Sequence, residues 1–92
     1  MSDDLKLRRD MDRASQAKAL LDNPMLTEAF ATYEADLMKV WFQTKVAASD
    51  ERERIWWAVQ AARAARNALV SVVSNGRLAQ AQIDALAGRR AA

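Results

Sequence analysis

Two stretches of apolar residues with helical spacing lie on either side of a short polar break, and this pattern restricts the chain to an all-α fold. The steps along each stretch alternate between four and three residues, which keeps one face of a helix toward a partner helix. The first stripe consists of Leu26, Phe30, Tyr33, Leu37, Val40 and Thr44, and the second of Ile55, Val59, Ala62, Arg66, Leu69 and Val73. A turn of about four residues, 46–49, joins them, and so short a connection makes neighbouring helices antiparallel. The sequence therefore predicts an antiparallel helical hairpin.

A charged segment precedes the hairpin. Residues 1–22 alternate acids and bases and become amphipathic only toward their end, so we expect a frayed start and a short charged N-terminal helix. Asn23 is a favourable N-cap, and Pro24 fits the first helical position because its missing N–H has no partner there. Helix two is expected to run from this pair to about Lys45.

Helix three is predicted to begin at a capping box and to end at a glycine. Asp50 followed by Glu53 matches the box with aspartate as the cap. The pair Asn75-Gly76 matches the left-handed C-terminal stop of a helix. Residues 77–92 are then expected to form a short helix and a basic tail. The prediction is thus a single helical domain, 1–92, whose hairpin is 24–75.

The chain is short for a stable solitary core. It has 92 residues, and a chain of about 60 residues buries only about 60% of the surface that its unfolded form exposes. Hydrophobic residues make up 51% of the sequence, but many of them are alanines, which contribute little burial each. Small helical chains commonly gain stability by oligomerising, so we expect a homo-oligomer.

The composition removes most site chemistries. Cysteine and histidine are absent from the sequence. The chain therefore lacks thiolate and imidazole metal ligands, and it lacks the residues of the usual catalytic nucleophile–base pairs. We predict that the protein is not an enzyme and uses no cofactor or metal. An oxygen-only magnesium site at Asp50, Glu51 and Glu53 is the alternative, although helix capping explains these residues. No stretch resembles a signal peptide or could span a bilayer, so we expect a cytoplasmic protein without membrane contact.

Arginines dominate the second half of the chain. Residues 55–92 contain five arginines and one acid, Asp84. Such an excess suggests contact with phosphate, and Arg63, about three turns from Arg52, shares its face with Trp56 and Gln60, so this strip could touch phosphates or a base. The alternative is that arginine stems cover apolar surface and their heads pair with acids. Arg66 interrupts the apolar row, and a buried position would require Glu34 or Asp36 as its partner.

Aromatic residues crowd around the break between the two helices. Trp41, Phe42, Trp56 and Trp57 occupy adjacent positions, so at least one of them should point outward. Exposed aromatics are enriched in interfaces, and small residues let helices approach closely. The predicted oligomer or partner interface comprises these four aromatics with Ala58, Ala61 and Ala65. The alternative is that the aromatics only close one end of a bundle.

The residues 19–30, ALLDNPMLTEAF, and 51–57, ERERIWW, resemble small helical proteins from tailed-phage and prophage gene clusters. Their size and hairpin pattern are similar to the central domain of the small terminase subunit, the ring-forming protein that recognises viral DNA and hands it to the packaging motor. Residues 1–22 depart from that family, because they are too short for its N-terminal helix-turn-helix domain.

The resemblance implies a non-enzymatic oligomeric component of phage-type DNA packaging. Its expected partners are further copies of the chain, DNA, and the large terminase or another phage-type protein, in the host-cell cytoplasm. Under this hypothesis the residues that contact DNA are Arg52, Arg63, Arg66, Arg77, Arg89 and Arg90. Two alternatives stay open: a virion structural or adaptor protein without a DNA role, and a small regulatory module that masks a host protein.

Overall fold

The computed structural model describes residues 2–91. Within them the chain forms three helices, α1 (Ser2–Leu21), α2 (Pro24–Gln43) and α3 (Ser49–Ala91), and no strand. The all-α prediction is confirmed. Met1 and Ala92, the two ends of the predicted domain and of its basic tail, lie outside the described residues.

The junction between α1 and α2 follows the sequence prediction. Asn23 Oδ1 accepts hydrogen bonds from the backbone N–H groups of Met25 at 2.9 Å and Leu26 at 3.3 Å, and Pro24 occupies the first turn of α2. The hydroxyl of Thr27 donates to the carbonyl of Leu21 at 3.2 Å and ties the two helices together. The N-terminal segment itself differs from the prediction of a frayed, short helix, because α1 begins at Ser2 and equals α2 in length.

The turn between α2 and α3 shifts both predicted boundaries. Helix α2 ends at Gln43, and Thr44 closes it by donating its N–H and its hydroxyl to the carbonyl of Trp41. The carbonyl of Ala48 accepts the first helical bond of α3, from the N–H of Arg52 at 3.1 Å. Asp50 therefore lies in the first turn and is not the N-cap, so the predicted capping box is wrong. Its charge still suits the positive end of the helix dipole.

The predicted stop at Asn75-Gly76 is wrong, and so is the separate helix after it, since α3 runs without interruption to Ala91. Gly76 has no positive φ and is buried against α1. A Cβ built on it would overlap the Cβ of Ala14 and lie 3.2 Å from the carbonyl oxygen of Asp10. The glycine is present because two helix backbones approach closely there, and not because a helix ends.

Helices α1 and α2 lie one after the other along α3 and run in the opposite direction. Asp4 faces Arg90 at 3.8 Å and Ala14 contacts Gly76, whereas Glu34 pairs with Arg63 farther down α3. The break at 22–23 therefore lies opposite the part of α3 between residues 63 and 76. The result is a rod of 67 × 25 × 19 Å whose radius of gyration is 19.7 Å, against about 12 Å for a compact chain of this length.

The rod has almost no core. Among residues 3–90 the buried ones are Ala17, Ile55, Val59, Gly76 and Ala79, and α2 contributes none. The chain exposes 7362 Å², whereas a compact monomer of 10.3 kDa exposes about 5,400 Å². One copy therefore leaves about 2,000 Å² more surface in water than a globular protein of its mass.

Candidate functional site

The end of the rod formed by the α2–α3 turn carries a cluster of apolar side chains, all exposed except the half-buried Trp41, which we name the aromatic end: Trp41, Phe42, Val46, Trp56 and Trp57. Phe42 is 78% exposed, Val46 86%, Trp57 60% and Trp56 50%. The prediction that at least one aromatic points outward is confirmed, and three of the four do so. Exposed apolar clusters of this kind mark interaction surfaces in soluble proteins.

Two contacts hold the aromatic end in shape. The guanidinium of Arg52 lies 4.8 Å from the ring centre of Trp41, in cation–π geometry, and its Nε donates to the Thr44 hydroxyl at 2.8 Å. Trp56 and Trp57 meet edge to face, with ring centres 4.9 Å apart and planes at 80°. Arg52 thus places a positive charge at the C-terminal end of α2, which the helix dipole favours.

The side of α2 that faces α3 differs from the predicted stripe in its second half. Leu26, Phe30, Leu37 and Thr44 are half-buried as predicted. Tyr33 and Val40 are exposed, and their neighbours Glu34 and Trp41 take the inward positions. Glu34 and Trp41 face inward because each contacts an arginine of α3. Glu34 accepts a hydrogen bond from Arg63 at 2.7 Å, and the ring of Trp41 contacts the guanidinium of Arg52.

The six predicted DNA-contacting arginines divide into two groups. Arg52, Arg63 and Arg90 contact other side chains of the rod, with Trp41 and Thr44, Glu34 and Asp4 as their respective partners. Arg66, Arg77 and Arg89 are exposed and form no ion pair within residues 3–90. These three span 23 residues of α3, about 34 Å along its axis.

Arg66 is exposed although it belongs to the predicted apolar row of helix three. Its neighbours in that row, Ala62 and Leu69, are half-buried. Arg66 lies in the part of α3, between residues 63 and 76, that faces the break between α1 and α2. Because Arg66 is exposed, the pairing with Glu34 or Asp36 that a buried position would require does not arise, and Glu34 pairs with Arg63, one helical turn away. Among the predicted interface alanines, Ala58 is half-buried, whereas Ala61 and Ala65 are exposed.

The outward side of α2 was not predicted as part of a site. Met25, Glu28, Tyr33 and Asp36 line a shallow groove there, with Ala29 and Thr32 between them. The helix carries three acids against one base, Lys39. The signal in the sequence was the spacing of Met25, Glu28, Thr32 and Asp36, which places exposed apolar and acidic side chains on one helical face.

The described residues offer little for other site chemistries. They contain no group of three acidic side chains placed to hold a metal, so Asp50, Glu51 and Glu53 do not form one. No helix among them has the length and apolarity to cross a membrane. A cleft between α1 and the last third of α3 is an open groove lined mainly by exposed side chains.

Comparison of the chain with protein-family models, curated proteins and solved structures finds no match. The resemblance to the small terminase subunit therefore stays a prediction.

Proposed function

We propose that this chain is a non-enzymatic assembly protein that works as several copies in phage-type DNA packaging, as a small terminase subunit does, recognising DNA and recruiting the motor. The observation that supports the proposal is the surplus of about 2,000 Å² of exposed surface per copy. A standard protein interface covers about 800 Å² on each partner. The surplus thus matches contact with two neighbours, as each member of a ring has.

In this proposal α2 and the first half of α3 form the predicted hairpin, and neighbouring copies cover its apolar sides. Its own packing is sparse, because α2 has no buried residue and only Ile55 and Val59 of the facing helix are buried. The aromatic end supplies further apolar area. Burying the exposed part of Phe42, Trp56 and Trp57 removes about 300–500 Å² from water, which contributes about 10 kcal/mol of gross stabilisation per copy.

The exposed arginines are the proposed phosphate contacts. Arg66 and Arg77 are eleven residues apart and so share one helical face at about 16 Å separation, and Arg89 follows near the end of α3. No acid lies between Glu53 and Asp84 to neutralise this part of the helix. Arg52, Arg63 and Arg90, which contact other side chains of the rod, hold its helices together in this proposal and do not bind DNA.

A DNA titration at two salt concentrations tests this assignment. With three phosphate contacts per copy, a fourfold rise in salt lowers the affinity about 40-fold. Replacing Arg77 and Arg89 together by alanine should flatten the salt dependence to that of about one contact. The matched control replaces Arg63 and Arg90, which removes the same charge from arginines that already have partners in the rod.

Equal losses in the two double variants would contradict the assignment. Absence of DNA binding at low salt, in a preparation that contains several copies per particle, would favour the second candidate, an adaptor or virion structural protein without a DNA role. The observation that favours this candidate is that three of the six arginines are engaged within the rod while the aromatic end is open.

A further inference from the structure

We propose that a second copy of this chain docks antiparallel on the side of the rod formed by α1 and α2, so that Arg66 of each copy pairs with Glu28 of the other. The inference rests on the assembly proposed above and deepens it by naming the contact surface. That surface, the junction surface, surrounds the break at 22–23 and comprises Leu20, Met25, Glu28, Arg66 and Val70.

The junction surface is an uncovered stretch of an otherwise covered stripe. Along α3, the inward row is half-buried on both sides of Arg66, whereas Arg66, in the part of α3 that faces the break, is exposed. Leu20 and Met25 flank the break and Val70 follows Arg66 by one helical turn; Met25 is 71% exposed, and Leu20 and Val70 are also exposed. An arginine among exposed apolar groups is suited to a carboxylate from a partner molecule.

The charges on the rod identify the partner as another copy. Arg66 belongs to a stretch of thirty residues, 54–83, that contains no acid. Glu28 is exposed on the outward side of α2 and forms no ion pair within the described residues. Each copy therefore offers one free base and one free acid at the same surface, which makes the surface self-complementary.

The position of these residues along the rod fixes the direction of docking. Glu34 stands beside Arg63, so Glu28, six residues earlier on the antiparallel helix, lies at about the level of Leu69, roughly 5 Å along the rod from Arg66 and near the middle of the rod. A two-fold axis at this level overlaps two rods over most of their length. It also sets α2, with three acids and one base, against α1 of the partner, with five bases and four acids.

The area suits this arrangement. A stable pair needs about 800 Å² on each partner, and the surplus of about 2,000 Å² per copy leaves room for it. The aromatic end lies outside the junction surface and stays available to other neighbours. In this pair Arg66 is engaged between the copies, so the DNA titration described above should show the salt dependence of two phosphate contacts, Arg77 and Arg89, and not of three: a fourfold rise in salt should lower the affinity about 12-fold.

Cross-linking tests the direction of docking, because the chain has no cysteine and single cysteines can be placed freely. Ser15 on α1 and Asp36 on α2 are exposed and fall at facing levels in the antiparallel pair, because Ala14 lies beside Gly76 and Glu34 beside Arg63. A mixture of Ser15→Cys and Asp36→Cys chains, treated with a short bis-maleimide, should give a cross-linked dimer. Neither variant alone should do so, and Ala47→Cys at the far turn is the matched control.

A charge exchange tests the proposed pair. Arg66→Glu or Glu28→Arg alone should weaken association at least about tenfold, because like charges then meet across the axis. Chains carrying both changes should regain association to within about threefold of the original, since the attraction is restored with reversed sign. Both side chains are exposed, and circular dichroism of each variant verifies that the helices persist.

The results separate this inference from the proposed function. Association with cross-links between identical positions, or a charge-exchanged chain no better than the single variants, overturns the docking arrangement and leaves the assembly proposal in place. A chain that stays a single copy overturns both.

Discussion

Replacing the two glycines of α3 by alanine one at a time should change stability in opposite directions. Nothing lies within 4 Å of a Cβ built on Gly88. Alanine is favoured over glycine inside a helix by up to about 1 kcal/mol, and by less in a terminal turn such as this one, so Gly88→Ala should raise stability by about 0.5 kcal/mol.

Gly76→Ala carries the same helical advantage but meets Ala14. The new methyl group overlaps the Cβ of Ala14, which cannot rotate away because an alanine side chain has no rotamers. Overpacking costs about 1–3 kcal/mol, and so direct an overlap falls in the upper part of this range. After subtraction of the helical gain we expect a net loss of about 2 kcal/mol, or about 8–16 °C in melting temperature for a chain of this size.

The assay is thermal and denaturant unfolding followed by circular dichroism at one protein concentration, because self-association makes apparent stability depend on concentration. Ala14→Gly provides the rescue: it should cost less in the Gly76→Ala background than in the original chain, since it reopens the space. If Gly76→Ala instead raises the midpoint as Gly88→Ala does, α1 does not pack against α3 at this point and the reasoning is refuted.

Three further predictions concern caps, ion pairs and the aromatic end. Asn23→Ala should lower the free energy of unfolding by about 1 kcal/mol through loss of the N-cap, and Asn23→Asp should retain most of it; equal losses in both would contradict the capping role. A double-mutant cycle on Arg63 and Glu34 should give a coupling below about 1 kcal/mol because the arginine is 60% exposed, and a value above about 3 kcal/mol would indicate a buried pair instead. Phe42→Ser combined with Trp57→Ser should reduce the mass of the assembly in sedimentation without reducing helix content, whereas loss of helix would mean that these side chains stabilise the single chain.

The helix boundaries that depend on local chemistry could be predicted from the sequence. Asn23 and Pro24 act within one turn of chain, so their effect does not depend on distant packing. Gly76 shows the opposite case. Glycine serves both helix ends and close helix contacts, and only the position of Ala14, 62 residues earlier, selects the second use. The continued spacing of Val73, Gly76, Ile83 and Leu86 was the signal in the sequence that α3 does not stop.

The candidate surfaces were harder to predict because burial depends on the neighbouring helix. The apolar pattern favoured Tyr33 and Val40 as inward residues. Glu34 and Trp41 face α3 instead, because Glu34 pairs with Arg63 and the ring of Trp41 contacts Arg52. Arg66 has the spacing of an inward residue but is exposed. It lies in the part of α3 that faces the break between α1 and α2, and no local pattern specifies where along α3 that break falls.

The most direct test of the account is the mass of the particle in solution. Sedimentation equilibrium over the micromolar range, combined with quenching of tryptophan fluorescence, measures both association and the shielding of the aromatic end. The account predicts a mass of at least twice 10.3 kDa, with indoles that become more exposed on dilution as the copies separate. A mass of 10.3 kDa at every concentration, with Trp56 and Trp57 protected from the quencher throughout, would contradict it.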